Sequence, residues 1–92
     1  MSRLNDHQIT EQLKSMPEWE HDGEQISRVF SFDSFMEGIE FVDQVAGLAE
    51  EMDHHPDIDI RYRDVKVALR SHDVGGITDR DFKLASHISE IA

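Results

Sequence analysis

The period of the apolar positions changes several times along the chain. Between Asn5 and Pro17, Ile9 and Leu13 recur four residues apart, the spacing of one helical face. Asn5-x-x-Gln8 has the form of a capping box, in which each side chain satisfies the other residue's free amide, and Pro17 sets the end. The stretch EWEHDGEQISRVFSF loses that period and predicts a hairpin. Asp22-Gly23 marks its turn, and the alternation through Ile26, Arg28, Phe30 and Phe32 is broken by a cation. Asp33 is the expected N-cap of a second helix running to about Met52. Phe35, Ile39, Val42, Ala46 and Ala49 make one stripe on it, and Phe41, Val45, Leu48 and Met52 an adjoining one. At about 100° per residue the two stripes span roughly half the helix, more than a small one-sided layer needs. Either the other two helices or a second subunit covers the excess. Glu50 falls at the edge of this arc, facing whatever lies past the helix end, and Pro56 blocks continuation and holds His55 extended.

A period of two follows. Ile58, Ile60 and Tyr62 alternate with Asp59 and Arg61, then Val65, Val67 and Leu69 alternate with Lys66 and Ala68, so two half-buried strands are expected. SHDVGGIT is a loop in which Gly75-Gly76 marks a tight turn, and Thr78-x-x-Asp81 opens a last helix with Phe82, Ala85, Ile88 and Ala92 toward the core. The predicted order is α-β-β-α-β-β-α. The expected fold class is α+β, a four-stranded antiparallel sheet with three helices packed on one face.

The 92 residues, with no repeat, low-complexity segment or linker, fit a single domain over 1–92. A chain of this size buries only roughly 60–65% of its unfolded surface, so the core is modest. The absence of cysteine removes disulfides, thiolate metal sites and cysteine nucleophiles from consideration. The formal net charge of −11 repels nucleic-acid backbones and anionic membranes, so neither is expected as a direct partner. Acidity of this size also fits a high-salt cytoplasm, although it bears on solubility and not on fold. No apolar run approaches the ~18 residues of a membrane span, and MSRLNDHQIT lacks a signal-peptide core, so a cytoplasmic protein is expected.

The chemistry concentrates between Glu50 and Asp81. With Arg63-Asp64 as a two-residue turn, Tyr62 faces Val65, Ile60 faces Val67 and Ile58 faces Leu69, and every apolar residue lands opposite another. Extending that register sets His55 opposite His72, at the ~4.5–5.5 Å of a cross-strand pair. His54 lies beside them, and Glu50 is one helical turn earlier. Three interpretations are open. The histidines are ordinary residues at strand ends; they ligate a metal, although adjacent histidines in extended chain point apart; or they form an acid–base pair. A histidine of ordinary pKa, about 6.5, serves as acid or base near neutrality, and Glu50 and Asp81 would favour the protonated form of one ring and fix its tautomer. No serine or cysteine nucleophile pairing is evident, which favours proton transfer over a covalent intermediate. Asp81 has a second role open to it as a cap of the last helix. Trp19 is expected in the core or at a subunit contact, Lys66 and Arg70 on a solvated face, and His7, His21 and His87 at the surface.

Glu50-x-x-x-His54-His55-Pro56, Tyr62, His72-Asp73 with Gly75-Gly76, Thr78-x-x-Asp81 and Leu84-Ala85 together resemble the pterin-4a-carbinolamine dehydratase family. Trp19, RVFSFDSF and IEFV extend the resemblance over about Leu4 to Ile91. Ile58 departs from it, since some family members have tryptophan there, and this changes an expected pocket wall. The resemblance implies dehydration of a 4a-hydroxytetrahydropterin to the quinonoid dihydropterin, which recycles the tetrahydropterin cofactor of a pterin-dependent hydroxylase. It implies His54 and His72 as the acid–base pair, His55 as the residue that orients the pterin, and Glu50 and Asp81 as tuning or ring-contacting groups. It further implies no metal or other cofactor, and a homodimer or homotetramer. Two other roles occur among such proteins: a non-catalytic dimerisation or binding module, as in animal members that bind a homeodomain transcription factor, and a place in molybdopterin metabolism.

Overall fold

The computed structural model describes residues 2–92. In chain order the elements are α1 (Asp6–Leu13), β1 (Glu20–His21), β2 (Ile26–Ser31), α2 (Phe35–Met52), β3 (Asp57–Arg61), β4 (Asp64–Leu69) and α3 (Asp79–Ile91), the expected α-β-β-α-β-β-α. The strands form one antiparallel sheet in the order β1-β2-β4-β3, so the two hairpins meet through β2 and β4. The three helices lie over one face. Ile26 and Phe30 from β2 and Val65, Val67 and Leu69 from β4 meet Ile9, Phe41, Val45, Phe82, Leu84, Ala85 and Ile88 from the helices in a single buried cluster.

Local chemistry explains each boundary. Asn5 and Gln8 complete the capping box of α1, each side-chain oxygen accepting the other's amide at 2.8 Å. The N-cap of α2 is Ser34, not Asp33. Ser34 is extended (φ −144°, ψ 159°) and its Oγ accepts the Glu37 amide at 3.2 Å, while the Asp33 amide donates to the Glu37 carboxylate at 3.2 Å. At the other end Asp53 takes a left-handed conformation (φ 48°), and the His54 amide closes back on the Ala49 carbonyl at 3.0 Å. That 6→1 closure stops α2 before Pro56 and turns the chain under the helix end. Arg28, the cation that broke the β2 alternation, stays on the helix side of the sheet. Its guanidinium lies over the Phe30 ring at 4.3 Å and donates to Ser89 Oγ at 3.2 Å. Trp19 is buried in the core and donates through Nε1 to the same oxygen at 2.9 Å.

The stripes of α2 separate by burial. Phe41, Val45 and Ala49 are buried with Gly38, and Leu48 and Met52 pack against the same cluster. Ala49 is thus the buried end of the first stripe, whose Val42 is half-buried against the cluster, whereas Phe35 remains 44% exposed, Ala46 is exposed and Ile39 is half-buried. The chain's own helices therefore leave a ribbon of apolar surface along α2 open. On α3, Phe82, Ala85 and Ile88 are buried as expected and Leu84 joins them, but Ala92 lies beyond the helix and is exposed.

The β3–β4 hairpin is displaced by two residues from the expected register. Its turn is Tyr62-Arg63, and Arg61 pairs with Asp64, Ile60 with Val65 and Ile58 with Val67. β2 supplies the reason. Ser31 pairs with Asp64, its Oγ donates to Asp64 Oδ1 at 2.8 Å, and the Phe32 amide donates to the Arg63 carbonyl at 3.0 Å, which draws Asp64 into β4 and pushes the turn back by one position. A shift of two keeps every apolar side chain on its face. It does remove the cross-strand pairing of His55 with His72, because extension of the observed register sets Arg70, not His72, opposite His55.

Candidate active site

Hydrogen bonds join three segments: His54, just past the C-terminal end of α2, to Asp81 in the first turn of α3, and Ser71 and Asp73, which flank His72 after β4, to Asp81 and Arg80 of the same turn. Neighbouring residues in extended chain face opposite ways, and the two adjacent histidines do so here. His54 points inward and is 7% exposed, whereas the His55 side chain is 57% exposed.

His54 Nε2 lies 2.5 Å from Asp81 Oδ1. Asp81 is fully buried, and its second oxygen accepts the Thr78 amide at 2.9 Å and the Ser71 hydroxyl at 3.0 Å. One carboxylate thus completes the capping box of α3 and holds a histidine, so the capping and site roles coexist. A buried carboxylate that receives two donors on one oxygen acts as acceptor on the other, and Nε2 is therefore the protonated nitrogen of His54. Nδ1 has no hydrogen-bond partner among the described residues and is the nitrogen left for a ligand. His55 makes the same kind of pair at the surface: its Nε2 lies 2.5 Å from Glu50 Oε2, with the Glu50 side chain 75% exposed. Glu50 reaches past the helix end as its position on the arc predicts.

His72 occupies a four-residue turn, His72 to Gly75, closed by the Ser71–Gly76 bridge, in which the Ser71 amide donates to the Gly76 carbonyl at 2.7 Å. Gly75 takes φ +65°, the left-handed position such a turn needs. His72 is exposed, and the turn is tied to α3 by Arg80, whose Nη2 donates to Asp73 Oδ1 at 2.7 Å. That hydrogen bond holds the Asp73 carboxyl below its ordinary range against the opposing effect of desolvation, and the guanidinium charge adds to it. Arg80 also lines a hollow of about 390 Å³ with Glu51, Met52, Asp79 and Lys83, between the end of α2 and the start of α3. Among the described residues no three His, Asp or Glu side chains are grouped to hold a metal ion, and the geometry is that of separate histidine–carboxylate pairs.

Residues 2–91 match the family model described as Pterin 4 alpha carbinolamine dehydratase. The chain belongs to the pterin-4-alpha-carbinolamine dehydratase family. A Chloroflexus aurantiacus protein that carries the dehydratase name provisionally is 50% identical over 91 residues, covering 99% of this chain and 98% of its own. A similarly named protein from Natronomonas pharaonis is 46% identical, covering 98% of this chain and 96% of its own. The crystal structure of a Brucella melitensis protein described as a transcriptional coactivator/pterin dehydratase superposes with a TM-score of 0.93 at 36% identity, covering 99% of both chains. A pterin dehydratase-like RuBisCO assembly factor of the alpha-carboxysome shares the fold, with a TM-score of 0.67 at 21% identity over 80% of this chain and 86% of its own.

Of the residues that the sequence motifs single out, the structure pairs His54 with Asp81 and His55 with Glu50, and leaves His72 exposed in its turn. The motifs missed Ser71 and Arg80, which join the histidine-bearing segments to α3. The signal for Ser71 was its place two residues past the end of β4, directly before His72, with a capping box downstream to receive its hydroxyl.

Proposed function

We propose that the chain dehydrates a 4a-hydroxytetrahydropterin to the quinonoid dihydropterin by histidine acid–base catalysis. The observation that supports this most strongly is the buried His54–Asp81 pair, with Asp81 saturated by Ser71 and Thr78. A carbinolamine carries hydroxyl and amine on one carbon. Its dehydration breaks the C–O bond with the electron pair leaving on oxygen, adds a proton to that oxygen, and removes the proton from nitrogen so that its electrons close the C=N bond. Water is the only co-product and no oxidant or reductant enters.

His54 is the base in this scheme. Its Nε2–H is committed to Asp81, so its Nδ1 lone pair takes the ring-nitrogen proton, and the carboxylate stabilises the imidazolium as it forms. His72, exposed to solvent in its turn, is the acid that protonates the departing hydroxyl. His55, steadied by Glu50, orients the pterin. The product is the recyclable form of the tetrahydropterin of a pterin-dependent hydroxylase, and this reading assigns the chain a cytoplasmic role beside such an enzyme.

The carbinolamine is generated with a pterin-dependent hydroxylase and its absorbance decay followed with and without the chain. Changing His54 and His72 together to alanine is expected to remove about 10²–10⁴-fold of the acceleration with the fold intact. Wild-type turnover in the folded double variant would rule out this assignment. The open ribbon on α2, Phe35, Ile39 and Ala46, supports a homodimer or homotetramer joined along that helix. Sedimentation should give an oligomer for the wild type and a folded monomer for Ile39→Lys, and a wild-type monomer at micromolar concentration counts against it.

A further inference from the structure

We propose that Ser71 is a positioning residue that locks the tautomer of His54 and ties it to the segment bearing His72, an inference that rests on the acid–base reading of the site. Ser71 is fully buried, and its hydroxyl lies 3.0 Å from Asp81 Oδ2 and 2.9 Å from Thr78 Oγ1. The direction of these bonds follows from the number of protons available. The Asp81 carboxylate only accepts, so Ser71 donates its single hydroxyl proton to it. Ser71 must then accept from Thr78, whose own oxygen accepts the Arg80 amide at 3.2 Å. A donor chain therefore runs from the Arg80 amide through Thr78 and Ser71 to Asp81 Oδ2, and His54 Nε2–H donates to the other oxygen of the same carboxylate, so the two paths converge on Asp81.

The main chain of Ser71 carries the second half of the device. Its amide and carbonyl bridge Gly76 at both edges of the turn that begins with His72. A rotation of the Ser71 side chain away from Asp81 would thus remove one of the two donors on Oδ2 of the carboxylate beneath His54, while the main-chain bridge to Gly76 keeps the turn that begins with His72 attached to the same residue. A hydrogen bond from a neutral hydroxyl to a buried carboxylate is among the stronger kinds, and losing it leaves Asp81 Oδ2 with the Thr78 amide alone. The carboxylate then has freedom to turn, and Nε2–H is no longer the sole arrangement available to His54.

The experiment combines ring nitrogen NMR of His54 with turnover of the carbinolamine, for the wild type, Ser71→Ala, Asp81→Asn and the double variant, each checked by circular dichroism. The wild type should show His54 as the Nε2–H form. Ser71→Ala should mix the two tautomers and lower kcat by about tenfold with KM within about twofold, as one charge-assisted hydrogen bond predicts. In the Asp81→Asn background Ser71→Ala should cost almost nothing more, because its effect passes through Asp81. Ser71→Thr keeps the hydroxyl and should retain the wild-type ring signals. Unchanged His54 signals in folded Ser71→Ala, or fully additive losses with Asp81→Asn, would overturn the proposal. A wild-type chain that does not accelerate the decay refutes the dehydratase reading instead, and the ring signals then still decide the role of Ser71.

Discussion

Asp73 keeps its charge because Arg80 donates to it, and the consequence is a turn pinned in place beside a catalytic candidate. The folded-state pKa of Asp73 is depressed from its ordinary 3.8, so the pair contributes to stability above that value and loses its contribution as pH falls through the lower, folded one. The turn bearing His72 is accordingly pinned at neutral pH, and the pin is lost only at a pH below the ordinary 3.8 of the carboxyl. In Arg80→Ala the first cause of the shift is gone, and a carbon-detected NMR titration should find Asp73 returned toward 3.8, with faster exchange of the Val74 and Gly75 amides. An Asp73 titration unchanged by the substitution would mean that another donor holds the carboxylate. At this scale most of the candidate site was legible. Histidine and carboxylate types at Glu50, His54, His55, His72 and Asp81 announce proton chemistry, and capping boxes are local enough to find by spacing. Ser71 and Arg80 were not legible, because a serine or arginine gains meaning only from the buried oxygen or carboxylate it meets in three dimensions.

The elements repeat that contrast between local and distant causes. Helix starts at Asn5 and Thr78, the end of α2 and the faces of β3 and β4 follow from residues within a few positions of each other, and all were predictable. The β3–β4 turn was misplaced because its register is set by β2, more than thirty residues upstream through the Ser31–Asp64 contact. The displaced turn leaves a mark: Tyr62, a bulky residue 71% exposed, takes φ +53°. A left-handed conformation costs an ordinary L-residue about 1–2 kcal/mol, and asparagine tolerates it better. The contact given up is one exposed cation–π approach, Arg63 at 5.4 Å from the ring, worth about 0.5 kcal/mol. Tyr62→Asn should therefore stabilise the chain by about 0.5–1 kcal/mol, which raises the melting temperature by a few degrees. A lower melting temperature would show that the ring makes contacts beyond this chain that outweigh the backbone strain.

Across the whole molecule the governing quantity is charge. Twenty Asp and Glu face nine Lys and Arg, and the net −11 sits on a chain whose core is modest. None of the three helices carries a basic residue in its last turn, so the helix dipoles offset little of the excess. Mutual repulsion of surface carboxylates favours expanded states and is weakened when salt shortens the screening length from ~10 Å at 0.1 M to ~3 Å at 1 M. The melting temperature should consequently rise with sodium chloride. A general strengthening of apolar burial by salt would raise it too, but the two differ in form. Screening acts most at low concentration and levels off, whereas salting-out grows steadily. Most of the gain is expected below about 0.3 M, and a variant with four exposed acids neutralised, Glu18→Gln, Glu20→Gln, Glu40→Gln and Asp43→Asn, should start higher and gain less. A rise that is linear to 1 M and identical in the variant would assign the effect to the core instead of the surface charge.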